Sequence, residues 1–240
     1  MRIRWDSRLK IMRVSTIAII VSLILLIIFA GFTIYGNKVG NFVVNVGSQS
    51  DIKLSLSAKQ DLSEQTDRLV YGSLMELNDT SYGFLPDDIA KGDLGNVSDK
   101  KDSRYLAYSF YLINNSDRAL DYDMDMVLID TVGDPLGMIR IMVIEETNST
   151  NDRSNRIYAL EESNEDNQQK LQKELEKITP YQTKPFLVDG KNLFSITVKD
   201  FQEGAFTRYT IVIWIEGCDP DCNNGHLGDR IKFQLNFTGY

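Results

Sequence analysis

The chain has 240 residues, 42% of them hydrophobic and 25% charged, with two cysteines, one histidine and a formal net charge of −8. That balance excludes a disordered chain and a disulfide-stapled miniprotein, and a lone histidine excludes a histidine-rich zinc site. No H-E-x-x-H, G-x-S-x-G, G-x-x-x-x-G-K-S/T or G-x-G-x-x-G pattern occurs, so nothing in the sequence points to a metalloprotease, a serine hydrolase, a P-loop enzyme or a dinucleotide-binding domain.

Val14 to Tyr35 is a run of 22 residues without a charge, mostly Ile, Leu, Val, Ala and Phe. As a helix it reaches about 33 Å, which matches the roughly 30 Å hydrocarbon core of a bilayer. Residues 14–35 are therefore expected to form a single transmembrane helix embedded in membrane lipid. Arg2, Arg4, Arg8, Lys10 and Arg13 precede it against Asp6 alone. By the positive-inside rule, residues 1–13 form a basic cytoplasmic segment and residues 36–240 face outward. A cleaved signal peptide fits less well: its apolar region runs about 7 to 15 residues and ends in a small-x-small site. The best candidate here, Ile28-Phe29-Ala30, has bulky residues where small ones belong, and no cysteine near the span could carry a lipid. The chain beyond the span is more acidic than the whole, which disfavours nucleic acid and anionic lipid surfaces as partners.

After a brief exit at Gly36 to Gly40, residues 41–46 are rich in β-branched side chains, so the ordered domain is expected to begin close to the membrane. In Asp51 to Ser57, Ile52, Leu54 and Leu56 alternate with polar residues, the period of a half-buried strand. Gln60 to Lys101 breaks into Gly, Asp, Asn and Ser clusters, read as loops with short edge strands such as Arg68 to Tyr71. Arg104 to Asn114 is apolar on both faces, as in a central strand covered on both sides, and ends in an Asn-Asn-Ser-Asp turn. Leu120, Tyr122, Met124, Met126 and Leu128 then alternate with Asp121, Asp123 and Asp125, and these two strands are expected to pair as a hairpin.

Further strands are expected at Met138 to Glu145, Arg156 to Leu160, Asn192 to Lys199, Phe206 to Glu216 and Arg230 to Thr238. Together they predict a mainly β fold, an antiparallel β-sandwich of jelly-roll or immunoglobulin-like order over residues 36–240. One interruption stands out at about 163–179. There Leu171, Leu175 and Ile178 recur at helical spacing, Ser163 and Asp166 could cap the start, and Pro180 stops it. This amphipathic helix would lie over one end of the sandwich or dock a partner.

Cys218 and Cys222 sit between the last two strands. Outside the cytoplasm a disulfide between them is the default, with free thiols and a zinc site shared with His226 as alternatives. Closing so small a ring is worth on the order of 2 kcal/mol, so it would tie a loop and not hold up the fold. Asp219, Asp221 and Asn223 resemble the first oxygen ligands of a calcium loop, but Asn224 replaces the required Gly and Arg230 the bidentate Glu, so calcium is a weak expectation. The row Asp121, Asp123 and Asp125 reads as a solvated face: carboxylates about 7 Å apart repel by only ~0.6 kcal/mol in water. Trp214 is expected to pack in a strand and His226 to lie at the surface. Five N-x-S/T sequons occur, at Asn78, Asn96, Asn114, Asn148 and Asn236.

Tyr105 to Asn115, Ile139 to Glu145 and above all Trp214-Ile215-Glu216-Gly217-x-Asp219-Pro220-Asp221-Cys222 resemble uncharacterised membrane-anchored surface proteins of Gram-positive bacteria. More distantly, the order of anchor and strands is similar to TasA/camelysin-type jelly-roll proteins. That likeness implies a sandwich exposed at the cell surface, in some members assembled into biofilm fibres by strand exchange and in camelysin associated with protease activity. The uncleaved span departs from this by hindering release into a free fibre. With no zinc-protease motif, peptidase activity is not implied.

Two functions of different classes remain. The first is a structural or protein-interaction module at the cell envelope, bound to an envelope protein or to itself through loops, helix or a strand edge, alone or within a larger membrane complex. The second is an envelope enzyme using an Asp/Glu pair or a bound cation in a loop cleft, for which no residue spacing provides a catalytic set or cofactor site.

Overall fold

The structure, a computed structural model, describes residues 19–29, 42–47, 51–71, 77–86, 89, 104–147, 153–161, 183–187 and 190–240. It divides into two compact units, Met1–Gly40 and Asn41–Tyr240. In the first, residues 19–29 are helical and every one of their side chains is exposed. Among the described residues no helix is long and apolar enough to cross a membrane. The rest of the span expected over 14–35, and the basic segment 1–13, lie outside the described residues.

The second unit is mainly β, with twelve strands among the described residues. They are β1 (Phe42–Gly47), β2 (Leu54–Ser57), β3 (Arg68–Tyr71), β4 (Asp79–Thr80), β5 (Tyr105–Asn114), β6 (Leu120–Val132), β7 (Ile139–Thr147), β8 (Arg153–Ala159), β9 (Thr183–Pro185), β10 (Asn192–Phe201), β11 (Phe206–Glu216) and β12 (Arg230–Gly239). Two sheets pack face to face. One has the order β10-β6-β12-β1-β3, the other β2-β5-β11-β7-β8-β9 with β4 beside the end of β11. Between them lies one apolar core that includes Val44 of β1, Tyr108 and Phe110 of β5, Met124 and Met126 of β6, Ile141 of β7, Ile211 of β11 and Leu235 of β12.

The strand periods explain the layers. In the first half of β6, Leu120, Tyr122, Met124 and Met126 point into the core and Asp121, Asp123 and Asp125 to the outer face, as their alternation requires. Asp123 Oδ1 accepts a hydrogen bond from Thr197 Oγ1 at 2.6 Å, and Asp121 Oδ1 accepts one from the Asp200 backbone N–H at 2.8 Å. The row expected to be a solvated face is thus a half-buried outer face on which Asp121 and Asp123 are hydrogen-bonded. β5 is apolar on both faces because both are covered: Tyr108, Phe110 and Leu112 face the main core, whereas Ala107 joins a second cluster with Leu85, Ile89, Met142, Ile144, Ile157, Val212 and Trp214. The segment that supplies Leu85 and Ile89 lies over the outer side of the larger sheet.

The expected hairpin of β5 with β6 is not formed. β5 pairs with β2 and β11, β6 with β10 and β12, so the turn between them carries the chain from one sheet to the other. The physical reason is in the two patterns. A strand apolar on both faces belongs in the middle of a doubly covered sheet, whereas one with a single apolar face belongs in a sheet with a wet side. Asn114 stabilises the crossing: fully buried, its Nδ2 donates to the carbonyl oxygens of Arg118, Phe201 and Gln202.

The helix expected at 163–179 lies outside the described residues. The strands on either side of it, β8 and β9, are parallel neighbours. A parallel pair needs a connection of a dozen residues or more, and the intervening residues supply that length.

Candidate functional site

The C-terminal half of β11 and the loop after it gather most of the chemistry that the sequence singles out. Alternation along β11 places Val212, Trp214 and Glu216 on the outer side of the larger sheet; on β7, Arg140 and Met142 share that side, in register with Trp214 and Val212. Trp214 is 1% exposed and Glu216 is fully buried. The indole Nε1 donates to Glu216 Oε2 at 3.1 Å, and the other carboxylate oxygen accepts from the Cys218 backbone N–H at 3.3 Å. Trp214 is thus a packed strand residue, as expected, with its polar edge satisfied by an acid that sequence reasoning passed over.

Arg140 was missed as well. A guanidinium within a strand apolar on both sides needs partners, since removing it from water costs several kcal/mol unless it is paired and hydrogen-bonded. Its Nη1 donates to the carbonyl oxygens of Gly137 at 2.9 Å and Ile139 at 3.1 Å, and its Nη2 pairs with Asp219 Oδ2. Both side chains of this ion pair are only 2% exposed. The lone cation inside Met138 to Ile144 was the available signal.

Around that pair the loop is wound in short turns. The Asp219 N–H donates to the Glu216 carbonyl oxygen and the Cys222 N–H to that of Asp219, both at 3.0 Å. Asp219 Oδ1 accepts from the Asp221 N–H at 2.8 Å, an Asx turn. Gly137 faces this turn so closely that a Cβ there would stand 2.6 Å from Asp221 Oδ2. Asn223 Oδ1 accepts from the Gly225 N–H at 2.8 Å and so caps the 3-10 turn Asn224–His226. His226 Nδ1 lies 2.8 Å from Asp229 Oδ2, with the ring a quarter exposed.

These bonds decide what the expected site residues do. Asp219, Asp221 and Asn223 are adjacent, but both oxygens of Asp219 and the amide oxygen of Asn223 already hold protein donors. A calcium ion bound through Asp219 Oδ2 would compete with the Arg140 guanidinium. Among the described residues no three His, Cys, Asp or Glu side chains are grouped as metal ligands.

The expected disulfide is absent as well: Cys218 and Cys222 are free thiols. Each sulfur has different surroundings. Cys218 is exposed, with its Sγ 3.2 Å from Ser81 Oγ, whereas Cys222 is half-buried. Burial raises the Cys222 pKa above that of an ordinary thiol, and the charges of Asp79, Asp219 and Glu216 add to the effect. Arg140 is paired with Asp219, and Glu216 accepts from Trp214 and the Cys218 N–H, so the two thiols lie beside a loop whose arginine and buried acids are engaged within it.

Of the sequons, Asn114 is fully buried and committed to the crossing turn, and Asn236 lies within β12. No protein-family model, no curated protein and no solved structure matches the chain.

Proposed function

We propose that this chain is a single-pass membrane protein that displays its β-sandwich outside the cytoplasm as a structural or protein-interaction module of the cell envelope. The observation that carries the reading is the uncharged run Val14 to Tyr35 behind five cations, whose described part, 19–29, is a helix with exposed large apolar side chains. Ile19, Leu23, Leu26, Ile27 and Phe29 are each at least 60% exposed, and such a surface is stable in lipid and unstable in water. The second compact unit starts at Asn41, and in sequence only Gly36 to Gly40 separates it from the uncharged run.

The strand order supports a jelly-roll-like reading, because the chain repeatedly changes sheets, from β5 to β6 to β7 and from β10 to β11 to β12. The far ends of β6 and β12 offer a contact surface. Beyond Leu128 and before Phe233, each of these strands pairs only with the other among the described residues, forming a two-stranded ribbon. Ile129 and Val132 on that ribbon are exposed, as is Leu227 just before it. An envelope protein or a second copy of the chain would bind there through apolar contact and unpaired strand edges.

Fractionation with an alkaline wash, followed by cross-linking on intact cells, tests the reading. The full chain is expected in the washed membrane pellet and in cross-linked species larger than the monomer; a version lacking residues 14–35 is expected in the soluble fraction. Release of the full chain by the wash would contradict the anchor, and a chain that remains monomeric under cross-linking would contradict the interaction role.

A further inference from the structure

We propose that Cys218 and Cys222 form a thiol–disulfide exchange site in which Cys218 takes the incoming disulfide and Cys222 resolves it. The inference is independent of the membrane reading and would survive its failure.

Geometry assigns the two roles. Cys218 is exposed, with its Sγ 3.2 Å from the small hydroxyl of Ser81, so a soluble disulfide can reach it. Cys222 is half-buried at the fourth position of the turn that begins at Asp219, the residue directly after Cys218. One tight turn therefore separates the two. Its start is anchored by the Gly217 N–H donating to the Thr80 carbonyl oxygen at 2.8 Å and by the buried Arg140–Asp219 pair. With one turn of backbone between the two cysteines, resolution is intramolecular and outpaces attack by another molecule. The carboxylates of Asp79, Asp219 and Glu216 around Cys222 oppose formation of its thiolate, which further favours Cys218 as the entry point.

The exchange balances with a low-molecular-weight disulfide as oxidant. The Cys218 thiolate attacks one sulfur of the disulfide, forming a mixed disulfide and expelling one small thiolate. Cys222 loses its proton to that thiolate and attacks the Cys218 sulfur, expelling the second small thiolate, which takes up the proton first lost from Cys218. Two protein thiols are oxidised to one disulfide, and the small disulfide is reduced to two thiols.

Oxidised glutathione added to the full chain in detergent micelles, with the products read by mass spectrometry without reduction, provides the test. The unmodified chain is expected to lose two hydrogens and retain no glutathione. Cys222→Ser should accumulate one glutathione on Cys218, and Cys218→Ser should react roughly tenfold more slowly than Cys222→Ser. In denaturant that difference should shrink towards none, because it arises from the fold. Equal rates for the two folded variants, a persistent glutathione adduct on the unmodified chain, or no reaction at all would each overturn the proposal.

Discussion

Arg140 and Asp219, 79 positions apart in sequence, form an ion pair whose two side chains are almost wholly sealed from water. One belongs to β7 and the other to the loop after β11, so this pair fastens the loop of Cys218 and Cys222 to the outer side of the larger sheet. Burial of both charges makes the pair sensitive to loss of either partner, because the survivor is left desolvated without compensation.

Asp219→Asn is therefore expected to destabilise the sandwich by about 3 kcal/mol, and Arg140→Met by a similar amount. The combined change Arg140→Met with Asp219→Leu should cost less than either alone, since no charge is left behind. Urea unfolding midpoints of the three variants check this; a double variant weaker than both singles would contradict it.

A second buried contact joins the two sheets. The hydroxyls of Tyr122 on β6 and Tyr209 on β11 lie 2.6 Å apart, both fully buried. Tyr122 also hydrogen-bonds Thr207, whereas Tyr209 depends on Tyr122. Tyr122→Phe should thus cost about 1–3 kcal/mol by orphaning the Tyr209 hydroxyl, and Tyr209→Phe should cost less. Equal losses in thermal or urea unfolding would refute this asymmetry.

Burial raises the pKa of Tyr71, Tyr108, Tyr122 and Tyr209 above the ordinary value of 10. The folded state then holds these phenolic protons more tightly than the unfolded chain does. Their contribution to stability is complete below about pH 10 and is lost as pH rises beyond it. Tyrosinate absorbance and circular dichroism followed together in an alkaline titration should show these tyrosines ionising only as the β signal collapses. Ionisation of all tyrosines with the sheets intact would contradict this.

Gly133, at φ 79° on the tip beyond β6, faces Asp229, whose carboxylate also accepts from the Asp134 N–H at 3.2 Å. A Cβ at Gly133 would stand 1.9 Å from Asp229 Oδ1. Gly133→Ala is expected to cost about 1 kcal/mol or more and to loosen the tip, read as faster amide exchange in residues 129–134 than in β6 nearer Leu120. Unchanged exchange would contradict it.

Much of the fold was legible because the strands differ in period. The one-sided alternation of β6 and the two-sided apolar character of β5 each predicted burial correctly, and the bounds of β11 were readable from Phe206 to Glu216. Pairing was less legible. The Asn114 turn looked like a hairpin because local turn chemistry does not reveal which sheet a strand joins, whereas the contrast between the two patterns does. At the site, Trp214, the cysteines and the Asp219 loop were visible as residues. Their roles depended on Glu216, two residues from both Trp214 and Cys218, and on Arg140, which reaches Asp219 only through the registry between β7 and β11, a long-range relation that spacing along the chain does not encode.

The measurement closest to the central claim is labelling of intact cells with a membrane-impermeant maleimide. In a Cys218→Ser, Cys222→Ser background, a cysteine is placed either at Leu227, which is 83% exposed, or at Lys10 in the basic leading segment. An anchored chain with its sandwich outside labels at position 227 in intact cells and at position 10 only after permeabilisation. Labelling at position 10 with protection at position 227, or protection of both until the cells are opened, contradicts it.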